Sequence, residues 1–78
     1  MLTEQQYNSI LPYKPIVEMF VSTGNYVGGA DGLFDYLEAS GLATEPILRT
    51  CNECRAGFLK FTNTLLKLYE KQNENKTN

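Results

Sequence analysis

The sequence predicts an all-α fold, a small helical bundle with a broken N-terminal helix, a short middle helix and a long C-terminal helix. Three local signals support this prediction: a capping box at Thr3, a second helix-start signal at residues 44–46, and a heptad repeat in the C-terminal half. A chain of 78 residues is the size of one small domain. We therefore predict a single helical domain over residues 1–72, followed by a flexible polar tail over residues 73–78.

The N-terminal helix is predicted over residues 3–22, with a break near its middle. Gln6 follows Thr3 at the capping-box spacing, in which the hydroxyl accepts a hydrogen bond from the third helical amide and the Gln side chain reaches back. Pro12 lacks an amide proton and disfavours helical geometry at the residue before it, so the axis bends or breaks there. Gly24 is expected to end the second half of this helix.

The middle helix is predicted over residues 31–40, after a glycine-rich connection. Asp31 is the expected N-cap, and Gly41 follows the C-terminal end. Asp31, Asp35 and Glu38 recur at steps of four and three, so they share one side of the helix. We interpret that side as a solvated acidic surface, because no histidine or second polar cluster accompanies it.

The strongest pattern in the chain is a heptad repeat, which predicts a long helix over residues 44–71. Its apolar positions alternate steps of four and three, and we call them the heptad seam: Ile47, Cys51, Cys54, Phe58, Phe61, Leu65 and Leu68. Leu48, Leu59, Leu66 and Tyr69 lie beside the seam and widen it. We therefore expect the long helix to bury the seam, including both cysteines, against its neighbours.

Cys51 and Cys54 form a CxxC, and we favour core packing for both because they fall on the heptad seam. A thiol redox pair is an alternative that requires a strand before the motif and a helix N-terminus at the first cysteine, whereas an apolar helical pattern already precedes it here. An intermolecular zinc site is another, with Cys51 and Cys54 of two chains as the four ligands, because the chain offers no further ligand of this kind. A disulfide is not expected, since residues three apart within a regular helix lack the required geometry.

The composition excludes most enzyme classes. The chain has no His, so no serine nucleophile can be joined to the usual catalytic triad. We predict a protein that is not an enzyme, with no catalytic residue and no cofactor. No apolar run is long enough for a membrane span, and the first residues lack the pattern of a signal peptide, so we expect a cytoplasmic protein that does not enter a membrane.

Charge is distributed unevenly along the chain. Residues 1–45 hold one basic and six acidic side chains, whereas residues 46–78 hold six basic and three acidic ones. Attraction between the two halves is expected to hold the fold or a homo-oligomer together. The alternative is that basic side chains of the C-terminal helix contact the phosphates of DNA or RNA; these are Arg49, Lys60, Lys67 and Lys71. An isoelectric point near 4.9 weighs against a dedicated nucleic-acid binder.

Aromatic side chains are numerous for this length, with five Tyr and four Phe. Tyr26 and Tyr36, near the glycine-rich connection, are our candidates for a protein interface, and packing of the loop onto the long helix is the alternative. We therefore predict a non-enzymatic interaction module that binds another protein or its own copy. The alternative function is a small nucleic-acid-binding regulator that uses the basic face of the C-terminal helix.

Both ends of the chain carry a resemblance to a known group of proteins. With LTEQQYNSILPY at the start and CNECRAGFLKFTNTLLKLYEK near the end, the chain resembles small uncharacterised helical CxxC-bearing proteins of Bacteroidetes phages and prophages. The middle is unmatched, and Arg55 stands where such proteins often have an aliphatic residue. The resemblance implies a phage-borne accessory role in the host cytoplasm, and it carries over no catalytic residue.

Overall fold

A computed structural model describes the backbone of residues 2–26 and 28–76, and the side chains of these residues up to residue 73. Over this part of the chain the structure is helical and contains no strand, which confirms the predicted all-α class. Its elements are α1 (Glu4–Ile10), a 3-10 turn (Leu11–Tyr13), α2 (Lys14–Thr23), α3 (Asp31–Ser40) and α4 (Asn52–Lys76).

The N-terminal helix has the predicted cap and the predicted break. Thr3 Oγ1 accepts a hydrogen bond from the Gln6 amide at 3.1 Å, and Gln6 Oε1 accepts one from the Thr3 amide at 2.9 Å. Pro12 lies in the 3-10 turn that separates α1 from α2. Gly24 ends α2 with a φ of 78°, a left-handed conformation that favours glycine.

The middle helix has the predicted bounds, but its predicted cap is wrong. Ala30, not Asp31, is the N-cap residue, because its carbonyl oxygen accepts the hydrogen bond from the Phe34 amide at 3.0 Å. Ala30 is fully buried, and its own amide donates to the Tyr26 hydroxyl at 3.2 Å. Burial of Ala30 therefore fixes the start of α3, and Asp31 lies in the first turn near the positive end of the helix dipole.

The long helix begins at Asn52, so the predicted start at residue 44 is wrong. Residues 41–51 form a loop, in which the Ile47 amide donates to the Glu38 carboxylate at 2.7 Å instead of to a helical carbonyl. The buried Ile47 side chain anchors this loop in the core. At its other end α4 continues to Lys76, beyond the predicted residue 71, so residues 73–76 of the expected tail are helical, and residues 77 and 78 lie outside the described residues.

The core is formed by one side of α4 packed against the earlier helices, chiefly α2. That side carries Leu59, Thr62 and Leu66, and the hydroxyl of the buried Thr62 donates to the Phe58 carbonyl at 2.8 Å. The predicted burial of the whole heptad seam is wrong, since Phe61 is 39% exposed and Leu68 is 46% exposed. The side of α4 that faces inward is the stripe beside the seam, formed by Leu59, Thr62 and Leu66, together with Leu65 of the seam itself.

Candidate functional site

Cys51 and Cys54 are joined by a disulfide, which corrects the expectation that they would not bond. Cys51 lies just before α4 and outside its regular geometry, because the helix starts eight residues later than predicted. The two Cα atoms are 5.2 Å apart, within the range that a disulfide requires. Both residues are half-buried, so they do not have the core positions predicted for them.

Cys51 occupies the N-cap position of α4. Its carbonyl oxygen accepts the first helical hydrogen bond, from the Arg55 amide at 3.1 Å. Its sulfur accepts a hydrogen bond from the Cys54 amide, also at 3.1 Å, as the side-chain oxygen of a capping serine would. The CxxC therefore stands at the positive end of a 25-residue helix, which is one of the two features that the redox interpretation requires. The other feature, a strand before the motif, is not met, because residues 41–51 form a loop.

An open apolar groove of about 580 Å³ adjoins the disulfide. Cys54 forms part of its wall, whereas the rest comes from α4 and from the loop at residues 41–51; the larger apolar side chains there are Leu42, Pro46, Leu48, Phe58 and Phe61. Leu48, which was predicted to lie beside the seam of the long helix, lies instead in the loop before α4 and is 60% exposed at the edge of this groove. An apolar surface next to a disulfide offers space for a molecule that approaches the sulfur atoms.

Arg49 anchors the loop at residues 41–51 to α3. Its guanidinium donates to Asp35 at 2.6 Å, to Glu38 at 2.8 Å and to the Ile47 carbonyl at 2.8 Å, and it lies 5.4 Å from the centre of the Phe34 ring. The acidic side of α3 is therefore an ion-pair partner as well as a solvated surface, which corrects the interpretation made from the sequence. The spacing of Asp35 and Glu38 shows that they share one side of a helix, but it does not identify Arg49 as their partner, because Arg49 lies 14 and 11 residues away from them.

The Glu38 carboxylate makes stability depend on pH. Hydrogen bonds from the Ile47 amide and then from Arg49 hold its pKa below the ordinary value of 4.5. A lowered pKa in the folded state contributes stability above the unfolded-state value, and this contribution is lost as the pH falls through the folded-state value.

We expect Glu38→Gln to lower the free energy of unfolding at pH 7 and to flatten its decline toward pH 3, because the neutral amide cannot pair with Arg49. Urea unfolding at several pH values measures both effects. Glu18→Gln on the exposed side of α2 is the matched control and should retain the steeper decline. Parallel pH curves for the wild-type chain and Glu38→Gln would contradict this assignment.

A second polar cluster joins the first, second and fourth helices. Glu70 accepts hydrogen bonds from the Tyr7 hydroxyl, at 2.8 Å, and from the Lys14 ammonium group, and the Tyr7 and Tyr69 rings stack with centroids 4.3 Å apart. The bond from Lys14 lowers the pKa of Glu70, and the bond to Glu70 raises the pKa of Tyr7. Tyr7 and Lys14 lie 63 and 56 positions before Glu70 in the chain, so no local sequence pattern could have revealed the cluster.

Tyr26 and Tyr36, the predicted interface tyrosines, are both half-buried and packed against the core. The Tyr26 hydroxyl accepts a hydrogen bond from the Ala30 amide. The Arg55 guanidinium lies 5.1 Å from the centre of the Tyr26 ring. Tyr26 thus contributes to packing the connection between α2 and α3 onto α4, which was the alternative interpretation.

The four basic residues assigned to a nucleic-acid interface do not share one environment. Lys60, Lys67 and Lys71 are exposed on α4. Arg49 lies in the preceding loop, and its guanidinium is already bonded to two carboxylates on α3. The basic helix face predicted from the sequence therefore contains the three lysines alone.

Cys51 and Cys54 are bonded to each other, and a disulfide presents no thiolate for the predicted alternative of an intermolecular zinc site. Across residues 2–26 and 28–76, no group of three or more His, Cys, Asp or Glu side chains could hold a metal ion. In the same part of the chain, no helix has the length and apolar character needed to cross a bilayer.

The fold and the site together define a small all-α protein with a CxxC disulfide at the start of its longest helix. No protein-family model, curated protein or solved structure was found to match this chain.

Proposed function

We propose that this chain is a protein-interaction module that pairs with a second copy of itself through the outer face of α4. We define this outer face by exposed residues that share the side of the helix away from the core: Glu53, Gly57, Phe61, Thr64, Leu68 and Lys71. The observation that carries the proposal is that the longest helix leaves two large apolar side chains, Phe61 and Leu68, exposed on this face. Apolar surface of this kind is characteristic of protein interfaces.

The spacing along the outer face suits a partner helix. Phe61 and Leu68 are one heptad apart, roughly 10 Å along the axis, and a heptad interval keeps side chains directed at a neighbouring helix. Gly57 has no side chain, and a Cβ atom placed there would meet nothing within 4 Å in its own chain. The face therefore combines apolar side chains with a position where a second helix can approach closely.

Charge complementarity favours a second copy in an antiparallel orientation. Glu53 lies near the start of the outer face and Lys71 near its end, equally far along the helix from Thr62. In a two-fold pair centred at that level, Glu53 of each copy lies opposite Lys71 of the other. The same arrangement brings Gly57 close to the level of the partner's Leu68.

The association itself is tested by sedimentation at a series of protein concentrations. We expect the average mass to rise from the 8.8 kDa of one chain toward twice that value as concentration increases. A single 8.8 kDa species over the whole series would contradict the proposal.

Charge reversal tests the face and the orientation. Glu53→Lys and Lys71→Glu should each raise the Kd of the dimer by about threefold to tenfold, because each places like charges opposite one another. The double variant should restore the wild-type Kd, since the pairs are re-formed with their signs exchanged. Glu18→Lys on α2 makes the same change in net charge as Glu53→Lys and should leave the Kd unchanged. A double variant no tighter than the single ones would rule out the antiparallel pairing.

A further inference from the structure

We infer that Cys51 and Cys54 form a redox-active pair that exchanges with thiols at the N-terminus of α4. This inference does not rest on the self-association proposed above. Glu53, Gly57 and Phe61 belong both to the outer face and to the groove, so a dimer would cover part of the groove, and the exchange is measured at a protein concentration at which the chain is a monomer. It combines three observations: the disulfide itself, the N-cap position of its first sulfur, and the groove that reaches its second sulfur.

The N-cap position stabilises negative charge on the Cys51 sulfur. After reduction, a Cys51 thiolate can keep the hydrogen bond from the Cys54 amide and remains at the positive end of the helix dipole. The Arg55 guanidinium donates to the Arg49 carbonyl at 2.8 Å and to the Asn52 side chain, so its positive charge is held by residues on both sides of Cys51 in the chain. Two carboxylates oppose this effect: Glu53, in the first turn of α4, and Glu45, which lines the groove together with Cys54.

Access differs between the two sulfur-bearing residues. Cys54 lines the apolar groove beside Leu48 and Phe61, whereas Cys51 is not among the residues that line it. An incoming thiolate that enters through the groove therefore meets Cys54 first. Cys51 is the better leaving group, because its departing thiolate is the one stabilised by the helix N-terminus.

The exchange takes place in two steps with a dithiol or with two thiol molecules as the reductant. In the first step a thiolate attacks Cys54 Sγ, a mixed disulfide forms, the Cys51–Cys54 bond breaks, and its electron pair leaves on Cys51 as a thiolate. In the second step another thiolate attacks the external sulfur of the mixed disulfide and releases Cys54. Two electrons and two protons pass from the reductant to the pair, and the reductant becomes a disulfide. The reverse sequence oxidises the pair and reduces an external disulfide.

Equilibration in buffers of reduced and oxidised glutathione tests whether the pair exchanges. After acid quenching and alkylation, mass spectrometry counts the free thiols on each chain. We expect a reversible change from two free thiols to none as the proportion of oxidised glutathione rises, with the same end point from either direction. A pair that stays in one state at every ratio, or that forms only disulfides between chains, would overturn the inference.

Single-cysteine variants test the assigned roles. Under reducing conditions, iodoacetamide should alkylate Cys51 in Cys54→Ser roughly threefold to tenfold faster than Cys54 in Cys51→Ser, because only Cys51 lies at the N-cap. Both rates are measured again in urea, where the helix is unfolded and the two should become similar. Circular dichroism before urea is added checks that each variant remains helical. Equal rates in the folded variants would overturn the assignment of Cys51 as the stabilised thiolate.

Discussion

Replacing Phe34 by Ala is expected to lower the free energy of unfolding by about 3 to 5 kcal/mol, the largest effect of any single substitution considered for this chain. Phe34 has no solvent exposure and is the largest of the fully buried side chains. The Arg49 guanidinium lies 5.4 Å from the centroid of the Phe34 ring. Removing the ring therefore also weakens the attachment of the loop that precedes α4, because Arg49 anchors that loop. Small domains have a total stability on the order of 5 to 10 kcal/mol, so much of the population should unfold.

Urea unfolding followed by circular dichroism measures this loss. Phe34→Leu is the matched control, because it keeps an apolar side chain of intermediate volume and should cost about 1 to 2 kcal/mol. The double variant Phe34→Ala with Arg49→Met should lose less than the sum of its two single losses, because the two side chains interact. A loss for Phe34→Ala below about 1 kcal/mol would contradict the position of this ring in the core.

The second large effect distinguishes the two apolar stripes of α4. Leu66→Ala should lower the free energy of unfolding of the monomer by about 2 to 5 kcal/mol, whereas Leu68→Ala should change it by about 0.5 kcal/mol or less. Leu66 is 2% exposed and faces the core, but Leu68 is 46% exposed on the outer face. The substitutions remove the same atoms from residues two positions apart on one helix, so each is the control for the other.

Both variants are compared at a protein concentration at which sedimentation shows a single chain, so that association does not add to the stability. At higher concentration, Leu68→Ala should weaken the proposed dimer because it removes apolar surface from the outer face. A larger loss for Leu68→Ala than for Leu66→Ala in the monomer would show that the heptad seam, not the stripe beside it, faces the core.

Local signals correctly located several helix boundaries. The capping box at Thr3, the break at Pro12 and the glycines at residues 24 and 41 act through adjacent residues, so the sequence contains all of the information that they need. The start signal at residues 44–46 failed because two long-range interactions compete with it. Ile47 is buried and donates its amide to Glu38, and Arg49 binds the same carboxylate.

That one difference changed the interpretation of the CxxC. In a helix that begins at residue 44, Cys51 and Cys54 are interior positions whose geometry does not suit a disulfide. In a helix that begins at Asn52, Cys51 becomes the N-cap residue and the two can bond. The sequence identified the right pair of residues, but the ion pairs on α3 determine their environment.

The sequence by itself determined the helical class, the capping box at the N-terminus, and a long final helix with more apolar residues than one side can hold. Only the tertiary structure decided which side of that helix lies inward and where the helix begins. The physical reason is that helical periodicity places the heptad seam and the stripe of Leu59, Thr62 and Leu66 side by side. Nothing local favours one over the other, and the surface presented by the earlier helices makes the choice.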